Sequence, residues 1–274
     1  MQISATEVNE LRKQTGAGLM DCKKALTESG GDFDKAIDFL RKKGQKVSAL
    51  RAGKDANEGV SIALTNADKT KGVVIKLKCE TDFVAKNEDF VKSAQAFAKV
   101  ALDANAKSLD DLLKISMDGT TVKEKVDELV GTINERIELS DYHIMESEGL
   151  VEYIHANNKI AVLVALNVKV NDAISEAGKD VAMQIAAMNP VAVDKNGVDA
   201  SIVERELEVG REQAKAEGKP DNIIDKIATG KLEKFYKENT LLNQPFVKDG
   251  NLTVGKFLQT VDKNLTVKEF KRIS

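Results

Sequence analysis

The strongest constraint on this chain is a switch of hydrophobic period at Gly59, from helical to two, which happens again after Gly149. Val60, Ile62 and Leu64 alternate with Ser61, Ala63 and Thr65; after a turn over Asn66 to Lys71, Val73, Ile75, Leu77 and Cys79 alternate with Val74, Lys76 and Lys78. Period two is the mark of half-buried strands, and two such runs around a turn predict a hairpin. A helix follows over about Glu88 to Ala104, with Phe90, Ala94, Phe97, Ala98 and Ala101 on one stripe. The order then recurs: Leu150 to His155 and Ile160 to Val168 flank Asn157-Asn158, and Val181, Ala182, Ile185 and Ala186 mark a second helix. Arg136 to Glu146 and Leu265 to Ile273 are candidate third strands for the two sheets. The expected fold is α+β, with a duplicated core of antiparallel sheet plus helix.

Ahead of the switch, residues 1–53 read as three short helices. Ser4 and Glu7 match a capping box, with Ile3 and Val8 as its hydrophobic staple. The first helix stops at Gly16-Ala17-Gly18. The second runs from about Leu19 to Ser29 and stops at Gly30-Gly31, where glycine accepts the left-handed conformation past a helix end. Asp32 caps the third, whose Phe33, Ala36, Ile37 and Leu40 lie on one face. Residues 53–58 read as a polar linker. Between the second core helix and the last strand lies a charged helical pair. Val203, Leu207, Gly210 and Ala214 line one member, Ile224, Ile227 and Phe235 the other, and Gly218-Lys219-Pro220 joins them. So narrow an apolar seam predicts a protruding antiparallel coiled-coil arm. The expected organisation is a helical domain over 1–53, a first core half over 54–148, and a second over 149–274 carrying the arm at about 190–240.

Composition narrows the function. Of 274 residues, 42% are hydrophobic and 31% charged, the balance of a globular protein of two or three units. Lys and Arg number 41 against 44 Asp and Glu, so the basic excess that a dedicated nucleic-acid binder uses to replace counterions is missing. Cys22 and Cys79 are too few and too far apart for a disulfide framework or a paired-cysteine metal site. The opening residues show no basic and then apolar leader. The longest apolar run, Ile160 to Leu166, falls far short of the roughly 20 residues that cross a bilayer. A cytoplasmic protein with reduced thiols is expected.

No phosphate loop, dinucleotide fingerprint, HExxH or GxSxG stands in the sequence. Gly16-Ala17-Gly18 is half of a glycine fingerprint, but it joins two helices and reads as a turn. His143 falls in a candidate strand and reads as structural or solvent-exposed. Two features resist so plain a reading. Met20 lies off the stripe formed by Cys22, Ala25 and Leu26, so it points away from the small core, as a contact residue or as incidental exposure. Thr81-Asp82-Phe83-Val84 fills the break between strand alternation and the helix after Asn87. Phe83 either tucks under that helix, which the periodicity favours, or stands out as a wedge beside Asp82.

Leu11 to Leu26 (LRKQTGAGLMDCKKAL) closely resembles the opening of the bacterial translation elongation factor Ts family. Cys79 to Lys86 (CETDFVAK) and Asn243 to Val247 (NQPFV) match the same family in the same order. The resemblance implies that the helical start is a UBA-like domain and that the protein is no enzyme but a guanine-nucleotide exchange factor. Its partner would be elongation factor Tu, in GDP-bound and nucleotide-free forms, and the factor itself would need no cofactor. Thr81, Asp82, Phe83 and Val84 would act in dislodging the partner's Mg²⁺, with Asp82 and Phe83 entering its G domain. Arg12, Leu19 and Met20 would dock the helical domain on that same G domain, and His155 would touch another domain of the partner. Leu19 departs from the family, in which a Met is common there; the similar size and polarity keep the contact plausible. Longer members continue past the position of Ser274 into a C-terminal helix, whose role is not carried over. A UBA-like start alone also suits a protein-binding or nascent-chain-binding module; the duplicated core and the Thr81–Val84 turn argue against that alternative.

Overall fold

The computed structural model describes residues 3–274. Three helices open the chain: α1 (Ala5–Thr15), α2 (Leu19–Glu28) and α3 (Phe33–Arg51). Ser4 Oγ accepts the Glu7 N–H at 3.2 Å while the Glu7 carboxylate accepts the Ser4 N–H at 2.7 Å, so the capping box is complete. Gly16, at φ +68°, ends α1 by donating its N–H to the Arg12 carbonyl at 2.8 Å. Val8, Leu11, Cys22, Ala25, Leu26 and Ala36 form a small core, and Ile3 packs against it as the staple requires.

The first sheet begins with the hairpin of β1 (Glu58–Thr65) and β2 (Lys71–Cys79), with Ile62 opposite Ile75. After the single turn α4 (Asp82–Ala85) comes α5 (Glu88–Ala104), over the residues that the apolar stripe predicted. Then come α6 (Leu109–Lys114), a two-rung hairpin of β3 (Ser116–Met117) and β4 (Thr120–Thr121), and α7 (Val122–Ile133). The third strand, β5 (Glu138–Glu146), pairs with β2, giving the order β1-β2-β5.

The second half repeats this plan. It runs through β6 (Gly149–His155), β7 (Ile160–Leu166) and α8 (Asp172–Met188). An excursion follows through α9 (Ala200–Ala216) and α10 (Asp221–Asn239). The short pair β8 (Pro245–Phe246) and β9 (Asp249–Thr253), then α11 (Val254–Val261), lead to β10 (Val267–Ile273). The order β10-β7-β6 again joins the third strand to the second strand of its hairpin.

The alternation in β1 and β2 has a physical cause. Val60, Ile62, Val73, Ile75, Leu77 and Cys79 pack under Phe90, Ala94 and Phe97 of α5. Ala63 and Val74, on the other face, meet Ala161 and Ile273 of the second sheet. Met145 likewise meets Leu150, Leu163 and Ala165. Within β7, Val162, Val164 and Leu166 pack towards α8 while Ala161, Leu163 and Ala165 face the first sheet. Both faces of this central strand are dry, so Ile160–Leu166 is one apolar run rather than an alternation.

Two features lie outside the periodic signals. Residues 105–135, given no element from the sequence, contain α6, β3, β4 and α7, although Thr121 and Glu124 make a second complete capping box. In addition, α3 does more than close the N-terminal core, because its second half crosses α7 at two glycines. A Cβ on Gly44 would stand 2.8 Å from the Asp127 carbonyl oxygen, and one on Gly131 would stand 2.7 Å from Gly44 Cα. Only glycines permit so close a backbone approach.

The helical pair closes on itself through Ala214, Ile224, Ala228 and Leu232, with Gly210 against Ala228. Its root is tied down by the third motif. Gln184 of α8 and Gln244 are both fully buried; Gln184 Nε2 donates to Gln244 Oε1 and to the Pro245 carbonyl, each at 3.1 Å. Gln184 Oε1 accepts the Val247 N–H at 2.8 Å, and Phe246 stacks on Phe257 with ring centroids 4.1 Å apart. Buried amides need such partners, so this motif is structural. Among the described residues, no helix is long and apolar enough to cross a membrane.

Candidate functional site

The site is built where β2 runs out. Cys79 is the last buried residue of the strand, its Sγ 3.2 Å from the Thr81 carbonyl oxygen. Burial, with Glu135 and Glu58 nearby, pushes that thiol up to about 12, so it stays protonated and inert. Thr81 then caps α4, its Oγ1 accepting the Val84 N–H at 3.4 Å. One helical turn divides its four residues by face. Ala85 is buried and Val84 packs against the main core, while Asp82 and Phe83 project.

Phe83 is 82% exposed. The tucked position that periodicity favoured is therefore corrected. Phe90 and Phe97 of α5 already pack in the core over β2, and the single turn of α4 directs Val84 and Ala85, not Phe83, towards it. Beside Phe83 the Lys86 ammonium, 2.6 Å from the Asp82 carboxylate, holds that carboxyl below the usual range, with a smaller contribution from Lys159.

The influence of Lys159 shows what else lies nearby. Lys159 sits in the β6–β7 turn, where Ala156, Asn157 and Asn158 all take positive φ and the Asn158 carbonyl accepts the Ser61 N–H at 2.6 Å. His155 is exposed at the same tip, its Nδ1 2.8 Å from the Tyr153 hydroxyl. Phe83 also borders an open groove of about 730 Å³, lined by Thr15 at the end of α1, Gly16 after it, Phe90, Phe97 and Leu129. The turn of the first sequence motif and the projecting aromatic of the second thus border one concavity. Arg12, Leu19 and Met20 are all exposed, Met20 by 71%, but they do not line that groove. His143 is half-buried in β5, its imidazole held below the ordinary value by burial and by Lys271.

Sequence reasoning missed what stands behind the turn. Glu135 Oε2 accepts the N–H of Glu80 at 3.1 Å and of Thr81 at 3.0 Å, and Oε1 accepts the Thr81 hydroxyl at 2.7 Å. Glu80 in turn accepts two bonds from Arg51, at 3.0 and 3.1 Å, and the Arg136 N–H at 2.5 Å. These partners are dozens of residues away, and no local pattern marks them. Among the described residues, no group of three or more His, Cys, Asp or Glu side chains is placed to hold a metal ion.

A sequence model described as Elongation factor TS matches residues 80–274, beginning within the turn motif. The chain is 54% identical over 273 residues to the elongation factor Ts of Amoebophilus asiaticus, covering 100% of this chain and 99% of that protein. It is 51% identical over 273 residues to that of Christiangramia forsetii, covering 100% of this chain and 98% of that protein. Identity to the Flavobacterium psychrophilum protein is 49% over 270 residues, covering 98% and 97%. The class is thus that of the bacterial translation elongation factors. Within it, this chain belongs to the elongation factor Ts family.

Proposed function

We propose that this chain is a guanine-nucleotide exchange factor that promotes GDP release from elongation factor Tu, acting in the cytoplasm by binding rather than as an enzyme. One observation carries the reading: Phe83, with the half-exposed Asp82 beside it, stands out into solvent from a turn whose other two residues pack against the core. A large apolar ring held in water on a rigid support is poorly explained by packing and well explained as an interface anchor. In this reading Thr81 and Val84 hold the turn. Phe83 enters the partner's G domain with Asp82 and disturbs the Mg²⁺ that neutralises the nucleotide's phosphate charge. Arg12, Leu19 and Met20 dock a UBA-like domain over residues 1–53. Residues 54–148 and 149–274 form a duplicated core, α9 and α10 a coiled-coil arm, and His155 makes a separate contact from the β6–β7 tip.

The energetics are those of linkage. A factor that binds the nucleotide-free partner more tightly weakens nucleotide binding by the same ratio, and a thousandfold weakening corresponds to a coupling of about 4 kcal/mol. Release of a fluorescent GDP analogue from elongation factor Tu, with and without this chain, tests the reading. Acceleration is expected at micromolar concentration, and its absence would refute it.

A further inference from the structure

A helix of four residues has almost no stability of its own, because nucleation costs more than one turn of hydrogen bonds returns. The orientation of Asp82–Ala85 must therefore come from tertiary ties: the packing of Val84 and Ala85 in the core, the Cys79 thiol on the Thr81 carbonyl, and a set of hydrogen bonds that converge on one side chain. Glu135, between α7 and β5, receives the backbone N–H groups of both Glu80 and Thr81 and the Thr81 hydroxyl. The third bond matters most. By accepting the hydrogen bond of the Thr81 hydroxyl, Glu135 leaves a lone pair of Thr81 Oγ1 turned towards the Val84 N–H, which is the capping bond that starts α4. Val84 and Ala85 then pack against the core and Phe83 points outward.

We propose that Glu135 is the positioning residue of the exchange turn: it sets the Thr81 cap and thereby the direction in which Phe83 projects. This rests on the exchange reading above. Glu135 follows directly on the Asn134 cap of α7, the helix that crosses α3 at Gly44 and Gly131. Arg51, the last residue of α3, grips Glu80, the neighbour of Thr81. The turn is thus referenced to the same helices that carry the N-terminal unit, so a partner held by that unit meets Phe83 at a fixed place.

The test combines Glu135→Ala, Glu135→Gln and the double variant Glu135→Ala/Phe83→Ala, read by local amide hydrogen exchange and by fluorescent GDP release from elongation factor Tu. In Glu135→Ala, exchange of amides in residues 80–86 should rise by about 10-fold or more, the equivalent of one charge-assisted hydrogen bond, while α5 and β7 keep their protection. GDP release should fall nearly as far as in Phe83→Ala, and the double variant should lose little more, because both changes disable one device. Glu135→Gln keeps an acceptor for the Thr81 hydroxyl and should lie between wild type and Ala. Unchanged release, a loss that adds fully to that of Phe83→Ala, or protection lost throughout α5 and β7 would overturn the proposal. A wild-type chain that accelerates no release would overturn the exchange reading and this role with it. The amide protection of residues 80–86 tells that outcome apart from a clamp that does not hold.

Discussion

Replacing Phe83 with alanine separates a wedge from a core residue by two measurements that move in opposite ways. A fully buried Phe truncated to Ala costs about 3–5 kcal/mol, which in a chain of this size lowers Tm by roughly 6–20 °C. Phe83 is 82% exposed, so its loss should change stability by no more than about 0.5 kcal/mol and Tm by no more than about 2 °C. Binding is affected differently. Moving an exposed Phe side chain out of water is worth about 1.5–3 kcal/mol, or roughly 10- to 150-fold in an equilibrium or a rate. Stimulated GDP release from elongation factor Tu should fall by that factor at fixed concentration, while the thermal melt stays in place. Chelation of Mg²⁺ should shrink the difference between wild type and variant, because the ion is then already gone. Asp82→Ala should behave alike with a milder defect, as it removes a charge already paired with Lys86. A variant that melts several degrees lower yet exchanges normally per folded molecule would return Phe83 to the core and refute the reasoning.

Other outcomes follow from the same geometry. Met20→Asp should weaken partner binding and leave the melt almost unchanged, whereas Leu26→Asp should unfold the helical domain by burying a charge; loss of fold in the first variant would show its face wrongly assigned. Replacing residues 199–238 with a short loop should keep one cooperative melt, since α9 and α10 bury their seam against each other and the Gln184–Gln244 ties lie outside the excised segment; collapse of the transition by circular dichroism would make the arm part of the core. Gly44→Val should cost about 1–3 kcal/mol, because its side chain would be forced against the Asp127 backbone, and an unchanged Tm would refute the close crossing. Hydrogen bonds from the N–H groups of Ser4, Arg136 and Thr121 hold the carboxyls of Glu7, Glu80 and Glu124 below their ordinary values. A depressed folded pKa means that the unfolded chain takes up protons first. Their contribution is therefore complete above the ordinary carboxylate range and lost as pH falls through the folded values, so Tm should decline in acid and stay level near neutrality.

What the sequence determined by itself is what neighbouring residues settle among themselves. The Ser4–Glu7 capping box, the stop at Gly16, the turn at Asn157-Asn158 and the helix over Glu88–Ala104 each depend on side chains within a few positions, and all are present as read. Strand alternation did the same for β1 and β2, because one sheet face meets α5 regardless of what covers the other. The tertiary structure alone decided which distant segment supplies the missing partner. Nothing near Phe83 says that Phe90 and Phe97 of α5 already occupy the core, so periodicity left both positions open and only the family resemblance pointed to the exposed one. Nothing near Gly44 announces Gly131, since a glycine allows close approach without naming what approaches. Glu135 looks like any other charged loop residue until the chain folds back and places three donors within 3.1 Å of its carboxylate. Caps and alternation are short-range and leave a pattern in the chain, whereas burial and long-range hydrogen bonds are properties of the packed whole.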